Sequence, residues 1–298
     1  MISRYRLMRG VLKRKFAREF CWRLTALCLH SEKKKFIART QATIKNSIFG
    51  LDQARVGTDV DLLSHNGATP GLPLPEPMVK EVLAYATQSP VYADRDKKRG
   101  FYLSDLKRVE QKLGKEVLLA QYFNILNNEH IRKIAYDPYL LLVAASYLQA
   151  PPKLMGANLW WTFPSNPSAE DKSKHAHVFH YDLDDVKFVK FFFYITDVDE
   201  DCGPHVYVEG SNRVIKYKNS WLRSLRFTDA EIEEAYGRDK VKYVMGPAGS
   251  TLIEDTITIH KGTTPTKQPR LLLQFEFSIN TYPEMSCECD ESELAFAV

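Results

Sequence analysis

From residue 157 to 279 the chain is a succession of short β-branched and aromatic runs broken by Gly, Pro and Asp, and this texture restricts the fold more than any other feature. The runs are Leu159-Trp160-Trp161-Thr162-Phe163, Val186 to Val198, His205 to Val208, Val241 to Val244, Thr251 to Ile259 and Leu271 to Ile279. A single helix interrupts them, announced by Thr228-Asp229-Ala230-Glu231, a capping-box pattern. Many short strands separated by turns predict a sandwich or jelly roll.

The N-terminal half reads differently. Residues 1–50 form a basic helical extension in which Tyr5, Met8, Leu12, Phe16 and Phe20 recur at spacings of three or four within the first thirty residues. Residues 51–77, rich in Pro and Gly from Ser64 onward, read as a loop-like connector. Residues 78–280 then form one domain, with helices up to residue 150. Among them Asp137-Pro138 supplies a cap and a first-turn proline for a buried helix, Tyr139 to Leu148. Residues 281–298 are a tail. The polar stretch 164–176 reads as a mobile loop.

Bulk properties exclude some classes. No run of about 18 uncharged apolar residues exists, so a membrane-spanning helix is not expected, and no secretory signal is visible. The five cysteines, Cys21, Cys28, Cys202, Cys287 and Cys289, are odd in number and scattered, which suits a reducing, cytoplasmic setting. Cys287 and Cys289 are expected to be free thiols in a mobile tail. Residues 1–40 hold twelve Lys and Arg against Glu19 and Glu32, about +10, leaving about −6 for the remainder of a chain of net charge +4. A block this basic suggests an anionic partner surface. Two readings follow: a helix packed on the main domain with its basic face in water, preferred because most apolar stripes are core faces, or an amphipathic helix in peripheral contact with an anionic membrane.

The chemistry is carried by two distant segments. In Val178-Phe179-His180-Tyr181-Asp182, residues i and i+2 of a strand share a face, so His180 and Asp182 project together. Far along the chain, Thr256 to Ile259 leads into His260, and ten residues later Arg270 opens the strand Leu271 to Phe277. Two histidines and one carboxylate on one face of an octahedron leave three positions open, the arrangement of non-haem iron(II) oxygenases. A bidentate 2-oxo acid takes two positions and dioxygen the third. The planar guanidinium of an arginine suits the far carboxylate of that acid.

With Phe193 to Val198, Cys202 to Ser211 and His260-Lys261-Gly262, these segments resemble the phytanoyl-CoA dioxygenase-like family of iron(II)/2-oxoglutarate oxygenases over roughly residues 157–280. The resemblance implies a double-stranded β-helix, or jelly roll, with flanking helices. It implies metal-ligand roles for His180, Asp182 and His260, and a salt-bridge role for Arg270 toward 2-oxoglutarate. It implies hydroxylation of an unactivated C–H in a small-molecule or lipid-like metabolite, with succinate and carbon dioxide as co-products. In relatives that halogenate, the carboxylate ligand is replaced, whereas Asp182 is intact. One departure is Asn212, where the family often has His after Gly-Ser; it is not one of the three ligands.

Other residues are weighed against plainer roles. Trp160 and Thr162 share a strand face and are candidates for the cosubstrate pocket, although large aromatics are usually core. Thr263 and Gln274 are further cosubstrate candidates, and Thr264 lies beside the first; loop capping and a buried amide are the alternatives. His205 and Tyr181 are substrate-facing candidates. His175 and His177 read as loop or surface residues, and Asp184 and Asp185 as a solvated turn. Arg213, Lys216, Lys218, Trp221, Arg223 and Arg226 read as a variable lid, since no nucleic-acid recognition motif accompanies them. Rival functions are a catalytically silent binding module and a zinc hydrolase using the same three ligands, but zinc leaves Arg270 unexplained.

Overall fold

Side-chain alternation along the strands sorts this chain into a dry face and a polar face. The computed structural model describes residues 4–50, 53–214, 216 and 226–297. Its strands are β1 (Ala68–Pro70), β2 (Val91–Ala93), β3 (Gly100–Phe101), β4 (Leu119–Gln121), β5 (Lys153–Thr162), β6 (Phe179–His180), β7 (Phe188–Tyr194), β8 (His205–Val208), β9 (Arg226–Phe227), β10 (Val241–Val244), β11 (Thr251–Glu254), β12 (His260–Lys261) and β13 (Arg270–Ser278). They form a larger antiparallel sheet in the order β1-β11-β7-β13-β5-β4-β2-β3 and a smaller one in the order β10-β8-β12-β6-β9. This is a jelly roll with flanking helices.

In the larger sheet, β13 lies between β5 and β7, with Arg270 opposite Thr162, Gln274 opposite Asn158 and Phe192, and Glu276 opposite Lys190. One set of alternate residues, Leu159, Trp161, Phe191, Phe193, Leu273 and Phe275, joins the main hydrophobic core. The other set, including Trp160, Lys190, Phe192, Arg270, Leu272, Gln274 and Glu276, lines a cavity. The period of two thus divides core from site within the same three strands.

The helices are α1 (Arg4–Leu12), α2 (Lys15–Cys28), α3 (His30–Ala42), α4 (Gln53–Asn66), α5 (Glu76–Gln88), α6 (Leu106–Leu113), α7 (Glu129–Ala135), α8 (Pro138–Leu148), α9 (Ala169–Lys174) and α10 (Asp229–Tyr236). Helix α8 starts as its sequence signals, with the Asp137 carboxylate accepting from the Tyr139 amide, and α10 carries the complete Thr228/Glu231 capping box. Both are consistent with side-chain oxygens satisfying first-turn amides.

Four expectations differ from the structure. The first thirty residues are not one helix: Arg14 takes an extended conformation between α1 and α2. This break redirects the apolar stripe, so Leu12 is buried while Phe16 and Phe20 are exposed. What holds α2 to the body is Trp22, whose indole N–H donates to the Leu148 carbonyl at 2.8 Å. The connector 51–77 contains helix α4, because Val56, Val60 and Leu63 form an apolar face ahead of the Pro-rich stretch. The loop 164–176 contains α9, capped by Ser168. The tail folds back, with the Gly100 amide donating to the Ala295 carbonyl at 2.9 Å.

Helix α4 is pinned by a buried carboxylate. Asp59 accepts from Arg55 Nε at 2.8 Å and from the Tyr139 hydroxyl at 2.5 Å. Asp59→Ala leaves that buried hydroxyl without its acceptor, and urea unfolding is expected to show a loss of about 1–3 kcal/mol. Unchanged stability would contradict this anchoring role.

Candidate metal centre

The smaller sheet brings the two distant histidines together through one register. In the β6–β12 pair, His260 lies directly opposite His180. Their ring centroids are 4.3 Å apart. Asp182, two residues beyond His180, projects to the same place: its carboxylate oxygens lie 3.8 Å from His180 Nε2 and 3.6 Å from His260 Nε2. The potential donor atoms of the three residues all lie within 4.8 Å of one another.

The rings are oriented for coordination. His180 Nδ1 is 2.9 Å from the Val178 carbonyl, and His260 Nδ1 is 2.9 Å from the Thr258 carbonyl. A carbonyl only accepts, so each Nδ1 carries the proton and each Nε2 keeps its lone pair for a metal. Burial pushes His180 down to about 3, so the ring is neutral near neutral pH. Burial alone would raise Asp182, but the adjoining Lys190 ammonium, foremost among its neighbours, outweighs it and holds the carboxyl well below its usual range.

Lys190 was not singled out from the sequence. Its ammonium lies 2.8 Å from Asp182, 3.0 Å from Asp184 and 3.5 Å from Glu276. The available signal was a lysine inside Phe188-Val189-Lys190-Phe191-Phe192-Phe193, a run otherwise apolar. A buried lysine in such a strand requires anionic partners.

Arg270 lies in the same cavity, of about 320 Å³, as the three-residue cluster. Its guanidinium is buried and donates to the Gly203 carbonyl and, at 3.4 Å, to Thr162 Oγ1, while its Nε has no partner. Among the described residues it forms no ion pair with any carboxylate. Gly203 can present its carbonyl there because it adopts φ +70°; a Cβ at that position would lie 2.5 Å from the Thr263 carbonyl. A buried arginine lacking a counter-anion, beside a two-histidine, one-carboxylate cluster, fits iron with a 2-oxo acid.

The remaining candidates separate. Trp160 and Gln274 line the cavity, and Thr162 touches Arg270. Thr263 bonds the Pro204 carbonyl at 2.6 Å, away from the cavity lining. His205 lines the cavity and binds Glu254 across the two sheets at 2.7 Å. Tyr181 does not face the cavity: the alternation that unites its neighbours sends its ring the other way, to within 6.3 Å of Phe227.

Four residues expected at the surface are buried. His175 and His177 line the cavity, His177 bonding Thr264 Oγ1 at 2.9 Å and His175 lying 3.4 Å from Asp94. Asp184 holds Lys190, and Asp185 accepts the Ile279 and Asn280 amides at 3.0 and 2.8 Å. Cys287 likewise reaches the cavity from the folded-back tail, 2.7 Å from Asn158 Oδ1, and burial pushes its thiol up. Cys287 arrives from the remote tail, whereas His175, His177, Asp184 and Asp185 adjoin the proposed ligands in a polar stretch that carries no sequence pattern for burial. Of the expected lid, Lys218, Trp221 and Arg223 lie outside the described residues.

His180, Asp182 and His260 fit the iron site of a non-haem oxygenase. The family model described as phytanoyl-CoA dioxygenase (PhyH) matches residues 78–271, and the chain belongs to this family, whose enzymes use iron(II), 2-oxoglutarate and dioxygen. Among solved structures, the non-heme α-ketoglutarate-dependent carbocyclase SnoK from nogalamycin biosynthesis shares the fold at TM-score 0.50 and 14% identity, over 78% of this chain and 85% of that chain. AviO1 from Streptomyces viridochromogenes Tue57 matches at TM-score 0.49 and 13% identity, over 76% and 95% of the two chains. EctD from S. alaskensis with bound Fe matches at TM-score 0.49 and 13% identity, over 80% and 81%. A search of curated proteins finds no significant match. No helix among the described residues is long and apolar enough to cross a membrane.

The buried His205–Glu254 pair gives the metal-free protein a characteristic pH response. Burial raises Glu254 from 4.5 to about 8, so the folded state retains a proton that the unfolded state has released, and stability falls as pH rises through this window. Burial lowers His177, His180 and His205 from 6.5 to about 3, so their contribution rises with pH until about 6.5. In chelator, stability is expected to peak near the upper end of that histidine window and decline toward pH 8. Glu254→Gln, which cannot ionise, is expected to flatten the decline; an identical decline in the variant would refute the assignment.

Proposed function

We propose that this chain hydroxylates an unactivated C–H bond of a small-molecule or lipid-like substrate, consuming 2-oxoglutarate and dioxygen and releasing succinate and carbon dioxide. His180, Asp182 and His260 hold iron(II), and Arg270 holds the far carboxylate of 2-oxoglutarate. The observation that carries this reading is the buried Arg270 without a carboxylate partner, in the cavity that also contains the three-residue cluster. Zinc bound by the same three residues does not by itself account for such a cation.

Iron with 2-oxoglutarate supplies the oxidising power when both are bound. The protein orients, charges and shields. Carbonyls of Val178 and Thr258 fix the histidine rings, and Lys190 keeps Asp182 ionised. Trp160, Leu272 and Gln274 form the wall beside Arg270. Arg95, an exposed residue, also lines the cavity. It follows Asp94, and both adopt left-handed backbone, φ 61° and 58°. Such strain persists where surroundings enforce it: Asp94 is held by Arg99 at 2.9 Å and Lys115 at 3.0 Å. Arg95 lines the cavity and has no carboxylate partner among the described residues, which supports a substrate bearing an acidic group.

Calorimetric titration of the iron-loaded protein with 2-oxoglutarate separates the two arginines. Arg270→Ala is expected to weaken binding by at least ~30-fold, equivalent to about 2 kcal/mol. Arg95→Gln is expected to leave that affinity intact, yet to abolish the stimulation of succinate formation by acidic substrates. Unchanged 2-oxoglutarate affinity in Arg270→Ala would sink the cosubstrate assignment.

A further inference from the structure

The structure points to a second functional surface, on the side of α2 that faces away from the domain. Along this helix Phe16, Phe20, Leu24 and Leu27 follow the i, i+4, i+8, i+11 pattern of one face. They are 80%, 61%, 53% and 75% exposed, and Leu7 on α1 is 64% exposed. The Phe16 and Phe20 rings stack with centroids 6.5 Å apart. A contiguous apolar row of this kind, uncovered among the described residues, marks an interaction site.

The row is not a frayed core face, because α2 has a separate inward face. Trp22 donates to the Leu148 carbonyl, and the buried Arg18 donates to the Leu12 carbonyl at 3.3 Å. Leu29, just beyond the helix, packs with Trp22 against the main core. Helix α2 therefore spends one side on the domain and keeps four large apolar side chains on the other.

Charge decides what covers that side. Residues 1–40 carry about +10; Arg23 on α2 itself is exposed, as are Lys13 just before it and Lys34, Lys35 and Arg39 on the adjoining α3. The acid within α2, Glu19, is occupied by Lys15 at 3.5 Å. A second copy of this face would bring like charges together, which opposes self-association. Exposed Phe and Leu set among Lys and Arg suit the boundary of an anionic lipid bilayer, where rings enter the acyl region and cations meet headgroups. We propose that α1 and α2 dock this enzyme onto anionic membranes, with Phe16, Phe20, Leu24 and Leu27 inserting.

The docking helices are also tied to the metal centre. The Tyr5 hydroxyl on α1 donates to Asp184 at 3.1 Å, and Asp184 holds Lys190, which holds Asp182. Docking face and cavity therefore belong to one connected body. The inference stands independently of the reaction proposed above.

Sedimentation of the full chain with vesicles tests it. The protein is expected to pellet with equimolar phosphatidylcholine and phosphatidylserine, to stay in solution with phosphatidylcholine alone, and to release as salt rises. Phe16→Ser with Phe20→Ser is expected to weaken binding by about tenfold or more, because each buried ring contributes to insertion. Both positions are exposed, so the variant should unfold at the parent's temperature. Lys13→Glu with Arg23→Glu is expected to weaken binding through charge alone. Absence of binding to the anionic vesicles overturns the proposal, as does equal binding by the Phe variant. A solution dimer that dissociates in the Phe variant overturns it too, and gives the face to a second copy.

Discussion

The candidate metal centre depends on the contact of the Lys190 ammonium with Asp182, Asp184 and Glu276. A carboxylate must be ionised to bind a metal, yet burial favours its protonated form. Lys190 reverses that preference at Asp182 and draws on the other two acids to satisfy its own charge. Because Lys190 sits at the centre of the larger sheet and Asp182 just after a strand of the smaller one, the same contact couples the two sheets at the site. The His205–Glu254 bond makes a second crossing. The polar interior is therefore both the candidate site and part of what fixes the sheets relative to one another.

Arg270 differs from Lys190 in one respect that matters for function. Lys190 is surrounded by acids, whereas Arg270 meets a carbonyl, a hydroxyl and no carboxylate. Burying a guanidinium without an anion is unfavourable. In the cosubstrate role proposed for Arg270, a bound dicarboxylate would supply the missing anion. The opposite side of the same strands is a dry aromatic core packed on α8 and α5, which keeps β13 and its arginine rigid.

The strand half of the fold was legible in the sequence because alternation and turn residues agree there. The convergence of His180, Asp182 and His260, the proposed ligands, was legible in part: His180 and Asp182 are two apart, whereas His260 opens the short β12 after a turn instead of ending one long strand. What alternation could not reveal was register, and it is register that sets His260 against His180. Tyr181 shows the cost of ignoring the period of two, since a residue between two that share a face must point the other way. His175, His177, Arg95 and Cys287 were hidden because they arrive from loops whose spatial order no local pattern encodes. In the N-terminal half, the Pro-rich stretch after Ser64 masked the helical spacing of Val56, Val60 and Leu63. The break at Arg14 carries no Gly or Pro signal, yet it turns Phe16 and Phe20 outward.

The most direct test is an anaerobic optical titration of the protein with iron(II) followed by 2-oxoglutarate, watching for the visible metal-to-ligand charge-transfer band of a chelated 2-oxo acid. The account predicts a band in the parent at one equivalent each of metal and cosubstrate, and its loss in folded His260→Ala. A well-folded parent that binds iron(II) or zinc but develops no band with 2-oxoglutarate would contradict it, and would return the three ligands to hydrolytic or purely binding roles.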